Sequence, residues 1–167
     1  MNLRIALVSS MALALGACGF HPLYATNDTT SGARDVFASI YVEPIAQERT
    51  GYDLRNRLIT LLRSPMRAQD AAYTLTVTVT ETREGVALQN DATITRYDLA
   101  LVAKYELKNQ KLDTVTSGQE STLESFDVAQ SPYASLTGQE EAEKRAAEDM
   151  AEHIRIDLSV HFAHAKK

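Results

Sequence analysis

Strict alternation between apolar and hydroxyl-bearing residues is the clearest pattern in the chain. It runs through AYTLTVTVTETRE, residues 72–84, where threonines fill the positions between apolar side chains. Successive side chains of a strand point to opposite faces of its sheet, so this segment predicts a half-buried strand with a hydrated threonine face. The apolar positions are Tyr73, Leu75, Val77 and Val79.

Three further segments are typical of strands. TITRYDLALVAKYELKN, residues 93–109, alternates over a longer span and should pair antiparallel with 72–84 across the turn-like LQNDA. A weaker strand is predicted over 114–128, where Leu123 and Phe126 differ in parity and cannot share a face unless the strand bulges or ends. FASIYVEPI, residues 37–45, predicts a first strand, and Pro44 favours an edge position or the strand end. The apolar face of 93–109 would comprise Tyr97, Leu99, Leu101, Ala103, Tyr105 and Leu107.

Two segments repeat their apolar residues at helical spacing. The first carries leucines at i, i+4, i+7 and i+8, with residues 50–53 as its predicted cap and Ser64-Pro65 as its end. The second covers residues 140–163, and Thr137-Gly138-Gln139-Glu140 has the form of a capping box. The buried positions would be Leu54, Leu58, Leu61 and Leu62 in the first helix, and Ala147, Met150, Ile154 and Leu158 in the second.

The order of these elements is strand, helix, three strands, helix. Strands grouped together with helices covering one face predict an α+β two-layer sandwich, with a mostly antiparallel four-stranded sheet and two helices. A chain of 167 residues suits one such domain. Its net charge of −5 argues against non-specific nucleic-acid binding, which needs basic clusters.

The first residues read as a secretion signal. MNLR is basic, Ile5 to Ala17 is apolar and small, and the run is shorter than the roughly 20 residues that a membrane span needs. Leu15-Gly16-Ala17-Cys18 looks like a bacterial lipobox, and Cys18 is the only cysteine, so it cannot form an internal disulfide. We therefore predict a lipoprotein signal peptide over 1–17, a lipidated Cys18 with a flexible tether over 18–36, and one domain over 37–167. Gly19 rather than aspartate follows the cysteine, which resembles the pattern of bacterial lipoproteins that are exported to the outer membrane.

Motifs for covalent chemistry are missing from the sequence. It has no G-x-S-x-G elbow, no P-loop and no G-x-G-x-x-G, so we expect neither catalysis nor a cofactor. Two alternatives stay open. One is a metal site on the last helix, although a polar flank of that helix explains the same residues; they are His153, Asp157, His161 and His164. The other is acid catalysis, although helix-start acids more often interact with the helix dipole; these are Glu140, Glu141, Glu143 and Glu148.

Cations on or near the long strand pair suggest a binding surface. Arg96 and Lys104 share the less apolar face of the second strand with aliphatic residues, and Arg83 lies close by in the first. Cations beside aliphatics could hold an anionic amphiphile, because cations bind phosphate and aliphatics contact acyl chains. The alternative is a face that lies partly against its neighbour and partly in water.

The chain resembles the lipopolysaccharide-assembly lipoprotein family LptE in its alphaproteobacterial form. The resemblance begins with ACGFHPLYA, continues through IYVEPI, GYDLRNRLITLL and the strand pair, and ends with SPYASLTGQEEAEKRAAEDMAEHIRIDL. It implies two helices on a mostly antiparallel sheet. It also implies an outer-membrane β-barrel partner, LptD, with this protein seated inside as a plug, and delivery of lipopolysaccharide without covalent chemistry. No sharp motif aligns lipopolysaccharide contacts, so Arg83, Arg96 and Lys104 are hypotheses. A free periplasm-facing lipoprotein that binds another envelope ligand is the alternative.

Overall fold

The computed structural model describes residues 36–46, 48–65, 67–88 and 93–164. These residues lie within one compact unit. The predicted signal peptide, Cys18 and nearly all of the predicted tether fall outside the described residues.

A four-stranded sheet forms one layer, with the strands in chain order. The strands are β1 (Ile40–Val42), β2 (Tyr73–Leu88), β3 (Ile94–Asn109) and β4 (Thr114–Asp127). β1 runs parallel to β2, and the other two pairs are antiparallel. A parallel neighbour needs a crossover connection, and helix α1 (Glu48–Leu62) provides it. The predicted α+β sandwich and the order β-α-β-β-β-α are confirmed.

The second layer consists of α1 and the 33-residue helix α2 (Pro132–His164). Both helices pack on one face of the sheet, which carries the odd-numbered residues of β2 and β3. The alternation predicted for both strands is confirmed, since these positions form the core. Fully buried side chains include Leu54, Leu58, Leu75, Leu99, Leu101, Leu107, Met150, Ile154 and Leu158.

Differences in element length leave one end of the sheet partly uncovered. β2 and β3 each have 16 residues, about 53 Å when extended. α1 has 15 residues and spans only about 22 Å, whereas α2 spans about 50 Å. Thr50, near the start of α1, lies against Glu81 of β2, so the strand pair continues beyond α1 for the rest of its length. Only the first turns of α2 accompany it there.

Both predicted helix starts are wrong. α2 begins at Pro132, because the fixed φ of proline suits a first helical turn, and Thr137 therefore lies inside the helix, where its hydroxyl donates to the carbonyl of Tyr133. α1 begins at Glu48, and the Thr50 hydroxyl donates to the Glu81 carboxylate rather than capping the helix. The predicted end of α1 is confirmed, because the helix stops at Leu62 and Arg63 follows with a φ of 54°.

The strand boundaries also differ in detail from the prediction. β1 covers only Ile40–Val42 of the predicted 37–45. β4 keeps a regular register past Leu123 and Phe126, so their difference in parity places them on opposite faces. Phe126 is buried against the helices, whereas Leu123 is 65% exposed.

Candidate functional site

The uncovered end of the sheet holds a cleft that is half apolar and half polar, here called the end cleft. Its apolar half, of about 460 Å³, lies between the ends of the sheet and the start of α2. The rings of Tyr97 and Phe126 stack there with centroids 5.6 Å apart, and Val128 and Leu136 complete the wall. Val128 and Leu136 are exposed, by 36% and 52%. The end cleft therefore offers apolar surface to a bound molecule.

The polar half of the end cleft, about 770 Å³, opens toward the start of α1. Its carboxylates are already engaged: Glu81 accepts the Thr50 hydroxyl at 2.9 Å, and Glu143 accepts the Gln139 amide at 2.6 Å. Glu140 forms an ion pair with Arg49. Of the acids considered for catalysis, Glu140 and Glu143 therefore have structural partners here, whereas Glu141 and Glu148 lie exposed on α2.

Arg83 stands where the two halves of the end cleft meet, because it lines both. It is on the helix-facing side of β2, opposite Leu99 of β3. Its Nε lies 3.7 Å from Glu81, a loose ion pair, and the side chain is 46% exposed. The guanidinium is therefore free to meet an anionic group from solvent while apolar parts of the same molecule contact Tyr97 and Leu136.

The other two candidate cations lie on the opposite, helix-free face of the sheet. Arg96 pairs with Asp127 of β4, Nε to Oδ1 at 2.8 Å. The hydrogen bond and charge of Asp127 raise the pKa of Arg96, and Arg96 lowers the pKa of Asp127. Lys104 is exposed and makes no ion pair with any described residue. Arg96 and Lys104 are eight positions apart along one strand, about 26 Å. Because Arg83 lies on the other face, the three cations do not converge on one site.

This second face, here called the open face, is broad and mostly polar, although Ala100, Val102 and the exposed Leu123 also lie on it. The even-numbered threonines of β2, from Thr74 to Thr82, lie opposite even-numbered residues of β3, which in turn lie opposite the odd-numbered residues of β4. No described helix packs on it. Reasoning from sequence identified the threonines but missed the continuation of the hydroxyl pattern onto β4, where Ser117, Ser121 and Ser125 share the face. The available signal was the spacing of these serines, four residues apart, which puts them on one face of a strand.

A cluster of one phenol and two carboxyl groups connects the helix-facing side of the sheet to α2. The Tyr105 hydroxyl donates to Asp157 Oδ2 at 2.8 Å. Burial, then this hydrogen bond, raises the pKa of Tyr105 far above its usual range. Burial and the neighbouring Asp157 also raise the pKa of Glu120, and His153 Nδ1 lies 3.9 Å from that carboxyl. Gly118, opposite Tyr105, leaves the room that the phenol occupies.

These contacts bear on the metal alternative for the last helix. Asp157 holds the phenol, His153 faces Glu120, and His161 packs edge-on against Phe162. Across the described ranges, no three His, Cys, Asp or Glu side chains are grouped as metal ligands would be.

A family model for lipopolysaccharide assembly, LptE, matches residues 37–158 of the chain. This chain belongs to the LptE family. The match covers β1 to most of α2, so the resemblance noted in the sequence is confirmed.

Solved structures of bacterial lipoproteins are similar to this chain. A protein from Caulobacter crescentus CB15, described as a lipoprotein, is 31% identical, with a TM-score of 0.69 over 81% of this chain and 98% of that one. Rare lipoprotein B from Shewanella oneidensis is 14% identical, with a TM-score of 0.59 over 77% and 98% of the two chains. A minor lipoprotein from Acinetobacter baumannii is 15% identical, with a TM-score of 0.54 over 74% and 92%. The last two show the fold alone. A comparison with curated protein sequences finds no match.

In the part of this LptE-family chain that the structure describes, neither helix is both long and apolar enough to cross a membrane.

Proposed function

We propose that this chain is an outer-membrane lipoprotein that plugs and supports an LptD-type β-barrel and assists the assembly of lipopolysaccharide in the outer leaflet. It acts by binding, without covalent catalysis. Membership of the lipopolysaccharide-assembly family supports the process. The lipid anchor is the thiol of Cys18, at the end of a lipobox-like sequence.

The polarity of the open face is the observation that best supports a plug inside a barrel. The lumen of a transmembrane barrel is polar and filled with water, so a plug needs a hydrated surface of its own. Rows of hydroxyls on β2 and β4 flank the charged residues of β3 on this face, and the charges are largely neutralised in place. Glu106 accepts from Thr114 and pairs with Lys108, and Arg96 pairs with Asp127. Such a surface can enter a polar lumen with most of its charges already paired, and Lys104, which has no ion-pair partner among the described residues, would meet water or the barrel wall there.

The end cleft supports contact with lipopolysaccharide. An anionic amphiphile can place phosphate on Arg83 and acyl carbon against Tyr97, Phe126 and Leu136. Arg96 and Lys104 lie on the open face instead, where they could contact a second portion of the molecule or the barrel wall. Arg83 is therefore the strongest of the three candidate contacts.

Photo-cross-linking tests the plug. A photoreactive residue at Thr78 or Thr80, both exposed on the open face, should form an adduct with a large, heat-modifiable outer-membrane barrel. Positions Glu148 and Asp149, exposed on α2 in the other layer, serve as matched controls and should react less. The readout is a shifted band on denaturing gels that antibodies against both proteins recognise.

Two results would contradict the plug. Recovery of the wild-type chain as a lone monomer under mild detergent would favour a free periplasm-facing lipoprotein with another ligand. Adducts that form from α2 but never from the open face would reverse the orientation proposed here while leaving a barrel partnership intact.

Replacing Arg83 with glutamine should weaken capture of purified lipopolysaccharide by about tenfold or more, because a hydrogen bond to a charged group contributes about 1.5–3 kcal/mol. Arg96→Gln should matter less, since Asp127 already engages that guanidinium. Lys104→Gln tests the remaining candidate. Lys111→Gln, in the exposed turn after β3, removes the same charge away from the cleft and should leave capture unchanged. Equal losses for Arg83→Gln and Lys111→Gln would mean that net charge alone attracts the lipid.

A further inference from the structure

The outer edge of β4 is long and regular. β4 has 14 residues and, within the described part of the chain, pairs with β3 alone. An edge strand offers a row of unpaired backbone N–H and C=O groups to any other strand, so soluble proteins usually protect such edges with lysine, proline or a bulge. Thr114–Asp127 contains no lysine, arginine or proline, and its register with β3 is unbroken from Thr116 to Asp127.

The opposite edge of the same sheet has those protections. β1 is only three residues long, and Pro44 follows it two positions later. Beyond β1 the free edge of β2 carries Arg83 and is irregular between Gly85 and Leu88. One edge of the sheet is thus short and interrupted, whereas the β4 edge is long and regular and carries only acidic side chains, among them Glu120 and Glu124, as charged protection. A continuous edge of this kind can accept a strand from another protein.

The backbone groups that face outward can be identified. Val128 N–H donates to the Thr95 carbonyl at 2.8 Å, so Thr95 and Val128 form a hydrogen-bonded pair. In an antiparallel ladder such pairs recur at every second residue, so even-numbered residues of β4 bond to β3 and odd-numbered ones point outward. Within the unbroken register the outward set is Ser117, Gln119, Ser121, Leu123, Ser125 and Asp127, and all six side chains are exposed.

Charge decides what kind of strand fits. β4 carries Glu120, Glu124 and Asp127 and no cation. Glu124 pairs with Arg145 and Asp127 with Arg96, but the nearest charged partner of Glu120 is His153, at 3.9 Å. A second copy would bring another purely acidic strand to this edge. An added strand with basic side chains on its helix-facing side would instead supply Glu120 with a cation.

We infer that the outer edge of β4 pairs with an extended, basic strand of a second protein, added to the sheet by backbone hydrogen bonds. Affinity in this mode comes from the main chain, and side chains at alternate positions select the partner. The inference does not depend on the barrel plug.

Hydrogen exchange on the full lipidated chain tests it. The assembly is released from membranes in mild detergent and compared with the same chain stripped of its partners. Amides of Ser117, Gln119, Ser121 and Leu123 should exchange at least about tenfold more slowly in the assembly. Those of Glu120, Thr122 and Glu124 should be protected in both, because β3 already binds them.

Three variants distinguish the contribution of the outward backbone N–H groups to this protection from that of the side chains. Ser121→Pro removes one outward N–H at a position where an edge strand tolerates proline, so protection at Gln119 and Leu123 in the assembly should be lost while Thr122 stays protected. Ser121→Ala keeps the N–H and should behave as wild type. Thr122→Pro breaks the bond to β3 and should expose the even-numbered amides as well.

Equal exchange of the outward amides in the assembly and in the stripped chain overturns the inference. So does protection by a second copy of this chain, seen as a homodimer by native mass spectrometry. The edge pairing and the plug can fail separately. If the outward amides are protected in an assembly that contains no barrel, the edge pairing is supported and the plug is contradicted. If the assembly contains a barrel but these amides are unprotected, the plug is supported and the edge pairing is contradicted.

Discussion

Replacing Gly118 with alanine is expected to lower the free energy of unfolding by about 3 kcal/mol, the sum of overpacking and the loss of a partly buried hydrogen bond to a carboxylate. A Cβ at this position would lie 2.5 Å from the Tyr105 hydroxyl oxygen and 2.7 Å from Cζ, so the ring must move. Tyr105 is only 5% exposed and has little room to do so. Moving it also takes the hydroxyl away from Asp157. The midpoint of urea unfolding should fall while its slope stays constant.

Two controls isolate the cause of that loss. Gly138 lies inside α2, where an added Cβ meets nothing closer than the Asp127 carbonyl at 3.8 Å. Gly138→Ala should therefore stabilise the protein by about 0.5–1 kcal/mol, the usual gain for this exchange in a helix. Adding Tyr105→Phe to Gly118→Ala removes the closest atom, so the double variant should lose less than the two single losses combined. A Gly118→Ala variant as stable as wild type would mean that Tyr105 is not held where the structure places it.

The sheet could be predicted from sequence because its signal is local. Alternation with a period of two fixes which side chains of β2 and β3 share a face, and burial of one face makes that register hard to slip. The same parity places Arg83 with Leu75, Val77 and Val79 rather than with Lys104, so its position on the helix-facing side was already implied. What the alternation does not contain is the length of α1, which leaves Arg83 uncovered.

The helix starts and the site were harder to predict because they depend on distant residues. Thr50 and Thr137 occur in cap-like sequences, yet the Thr50 hydroxyl bonds Glu81, 31 residues away, and the helix around Thr137 starts earlier at Pro132. Tyr105 and Asp157 are 52 residues apart. The end cleft likewise brings together β2, β3, β4 and α2, and only the assembled sandwich brings them to one place.

Cys18→Ser is expected to abolish lipid attachment completely and to block cleavage before residue 18, because the proposed anchor needs the thiol. Each buried CH₂ of an acyl chain contributes about 0.8 kcal/mol to membrane binding, so several chains together anchor a polar domain stably. Without any acyl chain, only contacts with other proteins keep the domain at the membrane. Intact-mass measurement should show the lipid on the wild type and an uncut leader on the variant. Thr29→Ser, in the predicted tether, changes a hydroxyl residue without touching the thiol and should be lipidated normally.

Fractionation of the Cys18→Ser variant then separates two ways of reaching the outer membrane. If the variant is released by a salt wash, the acyl chains hold the protein there. If the variant stays with the membrane, depletion of the barrel in the same strain distinguishes retention by the barrel from some other attachment. Release after depletion supports the plug, because the open face would then have no barrel lumen to bind. An unmodified thiol on the native wild-type protein would contradict the anchor itself. The family fold and the end cleft do not depend on that thiol, so lipopolysaccharide capture by the Cys18→Ser variant in solution should equal that of wild type.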